Sequence, residues 1–82
     1  MSGMLKNKTA LVTGGEGGIG QAICERFFRE GAEVVSADLR MQRRASGDIP
    51  FAEFDVTSEA SAQALFEQLG EQWSQLDILV NN

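Results

Sequence analysis

The apolar residues of this chain fall into short runs and spaced stripes whose periods alternate between strand and helix. Residues 9–13, Thr-Ala-Leu-Val-Thr, form a β-prone run that halts at Gly14-Gly15-Glu16-Gly17-Gly18-Ile19-Gly20. A strand feeding a tight glycine loop is expected there. Ile19, Ile23 and Phe27 then recur at every fourth position, which turns three large apolar side chains of one helix toward a core. Gly31 follows Arg29 and Glu30, where a left-handed residue would end that helix. Phe28 falls off the stripe and is expected to be half exposed.

Glu33-Val34-Val35-Ser36-Ala37-Asp38 reads as a second strand with an acid at its C-terminal end. Residues 40–48 are polar and contain Ser46-Gly47-Asp48, which predicts an exposed connection. Pro50 can begin a strand but not sit centrally in one, so a third strand is placed at about 51–55. Thr57 or Ser58 can cap a second helix, along which Leu65, Leu69 and Trp73 form the apolar stripe. Gly70 costs that helix ~1 kcal/mol relative to Ala. Residues 77–81 complete a fourth strand, whose consecutive apolar residues predict burial on both faces. The order β-α-β-β-α-β, with crossovers long enough for parallel pairing, predicts an α/β fold: a three-layer, doubly wound open parallel sheet.

Composition narrows the functions open to such a fold. The 82 residues suffice for one small domain, and 43% hydrophobic with 23% charged residues predicts a packed core. The net charge is −5, and residues 42–82 carry seven acids against two bases. That imbalance argues against nucleic acid, whose phosphates call for a basic stripe. The sequence contains no histidine and no tyrosine, which removes a histidine base, a histidine metal ligand and a tyrosine acid. Cys24 is the single cysteine; it makes no internal disulfide and reads as a core residue, since no base is available to activate it. Trp73 and Phe66 read as packing residues. No apolar run is long enough to span a bilayer and no signal-like block opens the chain, so a cytoplasmic protein is expected.

The glycine segment lies between a predicted strand and a predicted helix, the context in which a glycine pattern points to a bound phosphate. Glycines let the backbone turn and approach a pyrophosphate, and the free N–H groups and dipole at the helix start favour its charge. Asp38 ends the next strand, about 20 residues on, where a carboxylate can accept hydrogen bonds from an adenosine ribose. A glycine loop without a ligand is the competing reading; the strand, loop, helix and acid in sequence weigh against it.

Thr13-Gly14-x-x-x-Gly18-Ile19-Gly20, together with Asn81-Asn82, resembles the short-chain dehydrogenase/reductase family, whose dinucleotide fingerprint has this G-x-x-x-G-x-G spacing. Asp55-Val56 resembles the family's pair at the adenine ring, and Leu79-Val80-Asn81-Asn82 resembles the start of its L-V-N-N-A-G segment. The resemblance covers essentially the whole chain and identifies residues 1–82 as part of an NAD(P)-binding Rossmann domain. It implies that Gly14, Gly18, Ile19 and Gly20 cradle the pyrophosphate and pack the helix on the sheet, with Gly15, Glu16 and Gly17 completing the loop wall. Asp38 and Leu39 would border the adenosine ribose, Asp55 and Val56 the adenine, and Asn82 the adenosine side of the cofactor. For Asp55, an acid opening the second helix is the alternative role.

A carboxylate at Asp38 would repel the 2′-phosphate of NADP and accept from the hydroxyls of an NAD ribose, so NAD is the expected cofactor. Arg40, Arg43 and Arg44 could swing toward a 2′-phosphate, but a solvated charged loop is the simpler role. The family's chemistry also needs a tyrosine, a lysine four residues after it and an orienting serine. The chain supplies none of these: it has no tyrosine, its lysines are Lys6 and Lys8, and no serine follows the asparagine motif. No catalytic residue is therefore assigned, and the chain alone is expected to be inactive. The expectation is the N-terminal segment of an NAD-dependent oxidoreductase that moves hydride between the nicotinamide and an alcohol or carbonyl substrate, homo-oligomeric when complete. A non-catalytic module that binds a nucleotide, or pairs through its fourth strand, is the alternative, and a remnant without function a third. As an edge, the fourth strand is expected to leave the chain prone to self-association or incomplete folding.

Overall fold

The computed structural model describes residues 3–40 and 48–82. Its elements run β1 (Thr9–Thr13), α1 (Gly18–Arg29), β2 (Glu33–Asp38), β3 (Phe51–Glu53), α2 (Glu59–Gln72) and β4 (Ile78–Asn81). All four strands pair in parallel in the order β3-β2-β1-β4, with Leu11 opposite both Val35 and Leu79. The chain leaves β1 toward β2 and β3 on one side and returns through α2 to β4 on the other. β1 is thus the point where the winding reverses, and a crevice opens beyond the carboxyl ends of its neighbours.

Alternation along the strands divides the core in two. Ala10, Val12 and Val34 face α1 and pack with Cys24, Ala32 and Ile49, joined by Leu5, Ile23, Phe27, Ile78 and Val80. Leu11, Val35, Ala37 and Ala52 face the opposite way and pack on Leu65 and Leu69 of α2, with Phe54 and Trp73 at the border. The helices therefore cover opposite faces, and the three-layer, Rossmann-like architecture expected from the sequence is present. No helix among the described residues is long and apolar enough to cross a membrane.

The local signals act as their chemistry requires. Gly31 ends α1 at φ +98°, and its N–H donates to the Phe28 carbonyl at 3.1 Å. The Ser58 hydroxyl caps α2 by accepting from the Ser61 N–H at 3.1 Å, and Gly70 stays within the helix. Phe28 is half exposed. Residues 41–47, which include Arg43, Arg44 and the Ser46-Gly47 pair, lie outside the described residues.

Four expectations change. Ile19 is 72% exposed, because the first turn of α1 overhangs the end of the sheet; the buried line on this helix runs through Gly20 and Cys24, with Ile23 and Phe27 beside it. Strand β3 stops at Glu53, since Asp55 turns its carboxylate onto the Thr57 N–H and hydroxyl and so closes a local turn. Leu79 is 54% exposed, because α2 lies over β1, β2 and β3 and leaves that face of β4 open. Phe66 is 50% exposed and borders a surface groove with Leu69, Gly70 and Trp73 instead of joining the core.

Candidate cofactor site

Parallel pairing brings Thr13, Asp38 and Asn81 to one end of the sheet. Beyond them a cleft of ≈ 230 Å³ is lined by Thr13, Gly14, Asp38, Leu39, Phe54, Val56, Asn81 and Asn82. Five of the sequence-predicted residues, Gly14, Asp38, Leu39, Val56 and Asn82, thus meet at one opening. Leu39 and Val56 are exposed there, at 56% and 75%, and present apolar surface of the kind that takes the flat face of a base.

The turn after β1 is shaped by close approach. Gly14 adopts φ +66°, and the Asn82 side chain donates from Nδ2 to its carbonyl at 3.2 Å. The Asn82 N–H donates to the Thr13 hydroxyl at 3.3 Å, so the end of β4 is clipped to the turn. A Cβ at Gly20 would stand 2.0 Å from the Gly14 carbonyl oxygen, which leaves glycine as the residue that lets α1 start against this turn. A Cβ at Gly18 would meet nothing within 4 Å. The N-cap residue Gly17 has no capping side chain and the first turn of α1 holds no acid, so the N–H groups at the helix start face outward without an internal anion. These features fit a pyrophosphate at Gly17, Gly18, Ile19 and Gly20, which lie beside the cleft rather than in its lining.

Asp38 is fixed by main-chain donors. Its Oδ1 accepts from the Leu39 N–H at 2.7 Å and its Oδ2 from the Glu16 N–H at 3.2 Å. Each carboxylate oxygen keeps a further lone pair for a hydroxyl in the cleft. Asp55 stands at the entry to α2. Its N–H donates to the Ser61 hydroxyl at 2.9 Å, and hydrogen bonds from the Thr57 hydroxyl and N–H hold its carboxyl below the usual aspartate range. The carboxyl thus serves the entry to α2, while its neighbour Val56 faces the cleft.

Glu16 is the largest departure from the sequence reading. Instead of forming the loop wall it is 1% exposed, its carboxylate turned inward onto the Ser36 hydroxyl at 2.6 Å. Gly15 makes room for this pair: a Cβ there would lie 2.4 Å from the Ser36 Oγ and 2.9 Å from the Val12 carbonyl oxygen. Cys24 lies beneath the same turn, fully buried, and burial raises its thiol pKa, as suits a core residue. Sequence reasoning missed Ser36 and Phe54. For Ser36 a signal was available, since it precedes Asp38 by two positions and so shares its face of β2.

Comparison with known proteins agrees with this geometry. A family model described as short chain dehydrogenase matches residues 8–82. The chain belongs to the short-chain dehydrogenase family. It is 42% identical to a sorbitol dehydrogenase of Cereibacter sphaeroides, over 95% of this chain and 33% of that protein. Among solved structures, the ligand-free aldohexose dehydrogenase of Thermoplasma acidophilum superposes with a TM-score of 0.86 at 30% identity, over 100% of this chain and 31% of that one. The NADP complex of RhlG from Pseudomonas aeruginosa gives 0.79 at 39% identity, covering 95% and 35%. A short-chain dehydrogenase of Leptospira borgpetersenii with bound NAD+ gives 0.81 at 28% identity, covering 94% and 31%. The chain spans from 12% to half of the length of the first curated relatives it matches. It corresponds to the dinucleotide-binding segment of the short-chain dehydrogenase fold, a family that binds nicotinamide dinucleotides.

Proposed function

We propose that this chain forms the cofactor half of an NAD-dependent short-chain oxidoreductase, as part of an NAD(P)-binding Rossmann domain over residues 1–82. In this reading the N–H groups of Gly18, Ile19 and Gly20 receive the pyrophosphate, with Gly15 and Gly17 shaping the turn. Asp38 and Leu39 hold the adenosine ribose, Val56 covers one side of the adenine beside Asp55, and Asn82 borders the adenosine from β4. The bound dinucleotide supplies the hydride acceptor or donor, and the whole protein would exchange that hydride with a small alcohol or carbonyl compound. The same reading takes the whole protein to be a cytoplasmic homo-oligomer.

The observation that carries the cofactor choice is the carboxylate of Asp38, held at the cleft by two backbone N–H groups. A 2′-phosphate there would place like charges about 4 Å apart, a repulsion of about 4 kcal/mol per unit pair at a near-surface effective dielectric constant. Against this, hydrogen bonds from ribose hydroxyls to a carboxylate contribute about 1.5–3 kcal/mol. Arg40 is exposed, as a solvated residue of the connection after β2 would be. Titration of NAD and NADP into the intact protein and its Asp38→Ala variant tests the assignment. NAD is expected to bind the parent more tightly, and the variant to lose about tenfold in NAD affinity with a narrowed preference. An unchanged ratio of the two affinities would remove Asp38 from this role.

A further inference from the structure

Glu16 touches β2 at two points on one face. Its side chain accepts from the hydroxyl of Ser36 at 2.6 Å, and its own N–H donates to the carboxylate of Asp38 at 3.2 Å. Ser36 and Asp38 are two residues apart on the strand and therefore point the same way. The Gln21 side chain holds the residue from the other side, donating from Nε2 to the Glu16 carbonyl at 2.6 Å. Both Glu16 and Ser36 are buried, at 1% and 0% exposure, so neither side chain is available to touch a ligand. We infer that Glu16 is a positioning residue for cofactor selectivity, clasping Ser36 with its side chain so that its backbone N–H aims the Asp38 carboxylate at the ribose.

The inference rests on the cofactor reading above and extends it to a residue that lines no part of the cleft. Asp38 has two oxygens and two main-chain donors, one from Leu39 and one from Glu16. The Leu39 donor is adjacent in sequence and follows Asp38 wherever its backbone goes. The Glu16 donor comes across 22 residues, and its position depends on what ties the glycine turn to β2. The Gly15 N–H bond to the Ala37 carbonyl at 3.2 Å is one tie, and the Glu16–Ser36 bond is a second. Without the second, the Glu16 N–H is held less firmly against Oδ2, and the Leu39 N–H on Oδ1 is left as the firm anchor of the carboxylate. Hydrogen bonds to a 2′-hydroxyl are then weakened, and room opens for a 2′-phosphate. The pyrophosphate groups, common to both cofactors, meet Gly17 to Gly20 and are untouched.

The role is geometric rather than one of charge, which gives it a distinctive signature. Glu16→Gln keeps an oxygen that can accept from Ser36, whereas Glu16→Ala removes it. In the intact protein, amide hydrogen exchange at Glu16 is to be measured alongside Kd for NAD and for NADP. Glu16→Ala and Ser36→Ala are each expected to speed exchange of the Glu16 amide about tenfold and to lower the NAD-over-NADP preference by a similar factor. Glu16→Gln is expected to restore both. Unchanged exchange and preference in the alanine variants, with NAD still bound by the parent, would overturn the inference alone. A loss of preference in Glu16→Gln equal to that in Glu16→Ala would also overturn it, by showing that charge and not position matters. Failure of the parent to bind either dinucleotide would overturn the cofactor reading and this inference together.

Discussion

Gly18 and Gly20 are two positions apart in one helical turn and stand in opposite surroundings. A side chain at Gly20 would collide with the Gly14 carbonyl, a backbone atom that cannot move without reopening the turn. A side chain at Gly18 has free space, so nothing in the packing around it requires glycine there. Gly20→Ala is expected to cost at least about 2 kcal/mol of stability, seen as a Tm drop of roughly 8 °C or more for a chain of this size. Gly18→Ala should keep or raise the Tm, since alanine is the better helix former, while weakening dinucleotide binding about tenfold. Equal effects of the two on Tm would show that the loop is packed differently. The glycines and Asp38 were legible in the sequence because spacing alone specifies a turn and a strand end. Glu16 was not, because the resemblance placed it in the loop wall, and nothing in its spacing tells that the serine on the neighbouring strand receives its side chain. Ile19 misled for the converse reason: helical periodicity gives a face but does not tell where the sheet beneath it ends.

At the scale of elements, boundaries follow from hydrogen bonds that side chains divert. Ser58 takes the Ser61 N–H and starts α2, and the sequence left the choice between it and Thr57 open because either hydroxyl could do so. Thr57 is instead drawn to Asp55, whose turn cuts β3 short at Glu53. Ser58→Ala is therefore expected to remove about 1 kcal/mol and lower Tm by roughly 4–8 °C, with Thr57→Ala leaving the cap in place. Thermal unfolding followed by circular dichroism distinguishes them, and a larger loss from Thr57→Ala would reassign the cap. Both helices, and the strands β1 and β2, were readable from periodicity because each is covered by its neighbours. The burial of β4 was misjudged because its apolar run reports what the strand is suited to pack against, not what covers Leu79 here.

In the molecule as a whole, a polar staple just before β4 adds to the ladder that joins that strand to β1. Asp77 accepts from the Thr9 N–H at 2.9 Å through Oδ2 and from Gln75 through Oδ1, while its own N–H donates to the Thr9 hydroxyl at 3.0 Å. The Thr9 backbone bond, with help from Gln75, holds the Asp77 carboxyl below the ordinary aspartate range. With a folded value below the unfolded one near 3.9, its stabilisation is complete above about pH 4 and is lost as pH falls through the lowered value. The Thr9 amide resonance is expected to move with a midpoint below 3.9, and a midpoint at or above that value would contradict the staple. The order of strands and the reversal at β1 then place Thr13, Asp38 and Asn81 around one crevice, which is where the account locates the cofactor. The most direct test is a crystal structure of the intact protein with NAD. The pyrophosphate is expected at the N–H groups of Gly18 to Gly20, and the adenosine ribose hydroxyls within hydrogen-bond distance of Asp38. A dinucleotide bound away from the Gly14 turn, or a ribose with no contact to Asp38, would contradict it.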